Sequence, residues 1–169
     1  MNACEPDNGG LMTMQIADAV LLNAREIRRR SEAVWNGIPA ARLEWKPDPD
    51  AMSCIELVRH VLEGEYLYAS MARERKSVSN DGSPFAGRPF LSVADELAFA
   101  APFRKQFELL VASFGDDDFD SVVIDRSDVG YKRRLGDFLL RAAYHESVHC
   151  GQLLGYLRTM GAARPNVWD

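Results

Sequence analysis

Four stretches of this chain place apolar residues at helical spacing, and each is about as long as a bundle helix. The first covers residues 13–35, with Ile16, Val20, Asn23, Ile27, Ser31 and Val34 on one stripe and Gly37 and Pro39 ending it. The second opens at Ser53-Cys54-Ile55-Glu56, a capping box, and continues through Leu57, His60, Val61, Gly64, Leu67, Tyr68 and Met71. The third starts at Ser92-Val93-Ala94-Asp95 and carries Val93, Leu97, Ala100, Phe103, Phe107, Leu110 and Phe114. Pro102 lies inside it and predicts a kink or break near residues 98–101. The fourth covers 135–160, with Phe138, Ala142, His145, His149, Gln152, Leu153 and Tyr156 along one face.

The segment 77–89, rich in Gly, Pro, Ser and Asn, reads as a loop. Residues 121–133 read as an extended crossover with room for two short strands around Val122-Val123-Ile124 and Val129 to Lys132. The expected fold is therefore all-α: a four-helix bundle with a long crossover between helices three and four.

With 169 residues, 47% of them apolar and 27% charged, the chain suits one globular domain. We expect that domain over 13–169, after a disordered leader at 1–12 in which Met12, like Met14 just beyond it, offers an alternative start. The leader lacks the basic and apolar regions of a signal peptide, and no apolar run is long enough to span a bilayer. Cys4, Cys54 and Cys150 are odd in number and show no paired spacing, which fits a reducing cytoplasm. A net charge of −5 with scattered basic residues excludes a nucleic-acid footprint, since Arg28-Arg29-Arg30 and Lys132-Arg133-Arg134 are isolated clusters.

The chain has three histidines, His60, His145 and His149, and each falls on the inward stripe of its helix. His145 and His149 are one turn apart, so both imidazoles project the same way and can reach one divalent cation. Three buried imidazoles without a metal would each need separate polar partners. With His60 as third ligand, a coordination position stays open for water or substrate, as in a reactive rather than a closed structural site. Imidazole suits zinc, nickel, copper and iron alike; zinc is the default expectation and nickel its main competitor.

His145-Glu146-Ser147-Val148-His149 also fits the HExxH pattern of zinc peptidases, with Glu146 as general base. No histidine or glutamate follows His149 to complete a peptidase site, which disfavours that reading. Glu146 is the candidate catalytic residue, orienting a ligand or a bound water; the alternative is a solvated surface carboxylate. Gln152 is expected to line the site or pack against a neighbour. Gly64 either opens space above the metal or allows close helix packing. Asn23 is a candidate pocket residue because it interrupts an apolar stripe, Cys150 is expected as a buried small apolar residue, and Cys54, nearly two turns before His60, faces elsewhere and is not a ligand.

Ser53-x-x-Glu56-Leu57-x-x-His60 together with His145-Glu146-x-x-His149-x-Gly151-Gln152-Leu153-Leu154-x-Tyr156-Leu157-Arg158 resembles the DinB/YfiT-like superfamily. Trp45-x-Pro47 and the ending Pro165-Asn166-Val167-Trp168-Asp169 are similar to it as well, and the resemblance runs from residue 13 to the C-terminus. It implies a bundle with a long crossover and a three-histidine metal site at one end of the core, with His60, His145 and His149 as ligands. It also implies a homodimer and a small-molecule substrate: some relatives use low-molecular-weight thiols such as bacillithiol or mycothiol, and others are described as metal-dependent hydrolases. The chain departs from the pattern at Arg134-Leu135-Gly136-Asp137, where relatives often carry a Thr-Leu-Gly-Glu-like cap. Two functions follow as alternatives: a metal-dependent enzyme activating water or a thiol, or a non-catalytic metal-binding scaffold or sensor.

Overall fold

The structure is a computed structural model and describes residues 14–168. The expected leader at 1–12 and its Cys4 therefore lie outside the described residues. The elements follow in the order α1 (Ile16–Asn36), a 3₁₀ turn (Ala40–Arg42), α2 (Cys54–Glu74), α3 (Val93–Ala112), a single-turn α4 (Asp118–Ser121), β1 (Val123–Arg126), a 3₁₀ turn (Ser127–Val129), β2 (Tyr131–Arg134) and α5 (Leu135–Thr159). The four long helices form a ring in which α5 packs between α1 and α2, and α3 closes the other side. Among the described residues, no helix is long and apolar enough to cross a membrane.

Local chemistry fixes the helix ends. Ser53 and Glu56 form the capping box that starts α2: the Ser53 amide donates to Glu56 Oε2 at 2.7 Å, and the Glu56 amide donates to Ser53 Oγ. Ser92 caps α3 by accepting from the Asp95 amide. The start of α1 has no local cap, but its Ile16 amide donates to Asp116 Oδ1 at 2.9 Å, so the acidic run after α3 completes it from across the bundle. At the other end of α2, Arg75 takes the left-handed conformation, with φ of 56°, and turns the chain outward.

That turn positions the crossover. The Asp125 amide donates to the Arg75 carbonyl, and the Ser77 amide donates to the Asp125 carbonyl, so residues 75–77 tie β1 to the end of α2. β1 and β2 form an antiparallel hairpin with Arg126 opposite Tyr131 and Val123 opposite Arg134, the two strands the sequence had room for. Gly130, with φ of 89°, makes the reversal that a side chain would resist.

Two expectations change. Pro102 does not break the third helix: α3 runs through it from Val93 to Ala112. Proline deprives the Ala98 carbonyl of its helical donor, but both residues are exposed, so that carbonyl faces solvent. The buried face of α1 is also rotated from the expected stripe. Ile16 and Asn23 are exposed, whereas Ala17, Leu21, Ala24 and Arg28 point inward, so Asn23 lines no pocket.

The core consists of two apolar clusters. One gathers Trp35, Val58, Leu62, Leu153 and Leu157; the other gathers Val20, Ala69, Phe107, Phe138 and Leu139. Along α1, α2 and α5 the residues between these clusters are polar: Arg28 and Ser31, Glu65, and Glu146. A polar layer thus crosses the middle of the bundle. On α5, His145 and His149 flank the Glu146 of this layer; on α2, His60 precedes Glu65 by five residues, among Val58, Val61 and Leu62.

Candidate metal centre

His60 leaves α2 two turns after its cap, and His145 and His149 leave α5 one turn apart. The helix pairing brings the three rings together. Ring centroids are 4.8 Å apart for His60–His145, 4.8 Å for His60–His149 and 4.6 Å for His145–His149, a nearly equilateral triangle. One ring nitrogen from each lies within 4.8 Å of the others, and Nε2 of His60 and Nε2 of His145 are 2.9 Å apart. All three side chains are half-buried. The sequence-derived ligand set is therefore brought to one point.

Gly64 is what lets His145 in. A methyl group on its Cα would stand 3.0 Å from His145 Cε1 and 3.3 Å from Nδ1, so the imidazole lies directly over the glycine. Gln152 is the orienting residue for His149. Its amide nitrogen donates to the Tyr156 hydroxyl at 2.9 Å, which turns its oxygen toward His149 Nδ1 at 3.0 Å. The proton of His149 then sits on Nδ1, and Nε2 keeps its lone pair. Tyr156 in turn packs edge-on against Trp45 at 5.3 Å, so the Trp45 segment before α2 steadies a candidate ligand on α5.

Burial disfavours the charged form of two of the imidazoles, His145 and His60. Burial, reinforced by His149 and His60, pushes His145 down to about 4. His60 is lowered by burial and then by His149, with Glu63 acting in the opposite direction. Neutral rings offer lone pairs at pH 7, and the donor set of three imidazoles fits a divalent metal with positions to spare.

Glu146, expected as a catalytic carboxylate, is elsewhere. It is only 4% exposed and accepts two hydrogen bonds from Arg28, from Nε at 2.8 Å and Nη2 at 3.0 Å. Adjacent helical positions diverge by about 100°, so Glu146 faces α1 while His145 and His149 face α2. Neither the metal-orienting role nor the solvated-surface alternative describes it. Cys54 and Cys150 are buried free thiols, the latter as expected; burial pushes Cys54 up to about 11 and also raises Cys150.

Beside the histidines opens a cavity of about 260 Å³, walled by His60, Gly64, Tyr68 and His145 from the helices and by Asn80 and Arg126 from the connections. Helical spacing from His60 could have marked Glu63, Leu67 and Tyr68 as its lining. Nothing in the sequence pattern could have brought Arg126 from the crossover to the same cavity.

Comparison with known proteins agrees with this architecture. A curated relative, an uncharacterized protein YjoA from Bacillus subtilis, is 27% identical over 117 residues, covering 69% of this chain and 73% of that protein. The crystal structure of a DinB-like protein, YjoA from the same organism, superimposes with a TM-score of 0.67 at 21% identity, covering 88% of this chain and 96% of that one, a likeness of fold. The profile of the DinB superfamily matches residues 23–153, a span that contains all three histidines, and the chain belongs to the DinB superfamily.

Proposed function

We propose that this protein is a metal-dependent enzyme in which His60, His145 and His149 hold one divalent cation, zinc or nickel, and that it activates a water or a low-molecular-weight thiol. The observation carrying this reading is the convergence of three imidazole nitrogens within 4.8 Å, one of them oriented by a glutamine. A cation held there would lower the pKa of a water or thiol at its open position, giving a nucleophile near neutral pH. The chain's own part is to keep His60 and His145 unprotonated by burial, to orient His149 through Gln152, and to hold the small molecule in the adjoining cavity. A homodimer in a reducing compartment completes the reading, supported by the resemblance and by two free, buried thiols.

The test is thiol-transfer and hydrolase turnover in protein stripped of metal and then restored. Turnover should vanish on stripping, return with zinc or nickel, and be absent in His149→Ala. Equal turnover in stripped protein contradicts the reading. A non-catalytic metal scaffold is favoured by one observation, the commitment of Glu146 to Arg28, which removes the expected base. It gains if chelation lowers the melting temperature while no substrate is turned over. The same commitment argues against a peptidase, and casein should stay intact.

A further inference from the structure

The cavity beside the histidines has a cationic end. Arg126, half-buried on β1, lines it and makes its hydrogen bonds to hydroxyls: Nε donates to Ser77 Oγ at 3.1 Å and Nη1 donates to Tyr131 Oη at 2.7 Å. Among the described residues no carboxylate lies within ion-pair distance of it. The nearest in the hydrogen-bond chain, Asp128, is reached only through Ser77, whose hydroxyl donates to it at 2.6 Å. Most other guanidinium groups buried in this bundle have carboxylate partners: Arg28 has Glu146, Arg59 has Glu96, and Arg104 has Glu65.

Arg126 is also not alone. The guanidinium groups of Arg126, Arg133 and Arg141 lie 5.3, 5.1 and 5.6 Å from the centre of the Tyr131 ring. Only Arg133 among the three has a carboxylate, Asp137. Arg141, one turn before His145 on α5, has a buried Nε with no hydrogen-bond partner among the described residues, and its charge reaches His145. Three cations around one ring repel one another, and two of them lack a counter-charge. Glu63 also lines the cavity, and its carboxylate is engaged by the Ser83 hydroxyl, from which it accepts. An anionic group therefore belongs beside Arg126, the one member of this cluster that lines the cavity.

We infer that the cavity takes a small organic anion, with its carboxylate or phosphate held by Arg126 in the field of Arg141 and its other end reaching His60 and His145, the two imidazoles that line the cavity. This deepens the proposed function and rests on it for the reactive end only. A cavity of about 260 Å³ admits a small molecule and excludes a folded polypeptide.

The experiment is calorimetric titration of the full chain, metal-loaded and metal-stripped, with succinate and glycerol 3-phosphate and with their neutral counterparts succinamide and glycerol. At least one anion should bind about tenfold or more tightly than its counterpart, in line with a charge-assisted hydrogen bond, and whichever anion wins distinguishes carboxylate from phosphate. Arg126→Gln should erase that preference with metal content and melting temperature unchanged, Arg126→Lys should keep part of it, and Arg141→Gln should weaken it several-fold. Anions binding no better than neutral probes, no binding by any probe, or full preference in Arg126→Gln overturns the inference. A protein that takes up no metal yet prefers anions leaves the inference standing and removes the metal reading instead. A metal-loaded protein without the preference does the reverse.

Discussion

Two groups of polar side chains share the middle of this bundle, and they are treated in opposite ways. On the α1 and α3 side, Glu146, Arg28, Glu65 and Arg104 form one chain of ion pairs that draws on α5, α1, α2 and α3 in turn. Each charge there has an opposite partner, and Arg28 and Glu146 are 6% and 4% exposed. On the α2 side, three imidazoles face one another instead, with only His149 Nδ1 bound to a helper, Gln152. Residues 145, 146 and 149 of one helix serve both groups. A saturated network holds a structure together, whereas lone pairs aimed at a common point are prepared for something not yet bound.

The sharpest way to break this contrast is to disturb one group and read out the other. Glu146→Ala should destabilise the protein by ~3 kcal/mol, because it strips a buried guanidinium of its closest partner, yet leave metal stoichiometry unchanged. Denaturant unfolding and elemental analysis on the same sample check both halves. Loss of metal with little loss of stability would move Glu146 into the metal site. Gln152→Leu should do the converse, weakening metal binding ~10–100-fold by freeing the His149 tautomer while the unfolding midpoint barely moves. A smaller change is expected of Gly64→Ala: the added methyl displaces the His145 ring and lowers metal affinity, while stability holds or rises by ~0.5–1 kcal/mol because a helical glycine is removed.

The smallest effect is in pH dependence. His60 and His145 have lowered pKa values in the folded state, so the unfolded chain takes up their protons first. Metal-free protein should then be most stable above about pH 6.5 and lose stability as pH falls toward about 4, where folded His145 also titrates. Glu56 and Glu108, whose values are lowered, add their loss at more acidic pH, so melting temperatures between pH 6.5 and 4.5 isolate the histidines. A flat profile across that window would mean that the rings are not held neutral by burial.

Much of this could be read from the letters because it depends on short spacing. The Ser53–Glu56 capping box, the Ser92 cap, the hairpin in the crossover and the one-turn pair His145–His149 each lie within a few residues. His60 was legible because a histidine on an apolar helical stripe has few reasons to be there. The paired layer was not legible. Arg28 sits in a run of three arginines, Glu65 follows Glu63 and Gly64, and Glu146 lies between His145 and Ser147, so each reads as surface until the helices meet. The inward face of α1 takes in Arg28 and leaves out Ile16 and Asn23, while Val20, Ser31 and Val34 of the expected stripe are buried. The cation of the cavity wall, Arg126, with Arg141 behind it on the Tyr131 ring, likewise comes to the site only once the hairpin is tied to the end of α2.

One measurement bears most directly on the central claim that the three imidazoles share a cation. Tag-free protein should be analysed for bound metal and titrated with zinc and with nickel, alongside His60→Ala. The account predicts about one ion per chain in the wild type and an affinity at least ~100-fold lower in the variant, since His60 is the only ligand from α2. Wild-type protein that binds neither ion, or a His60→Ala variant that binds as tightly as the wild type, would contradict it.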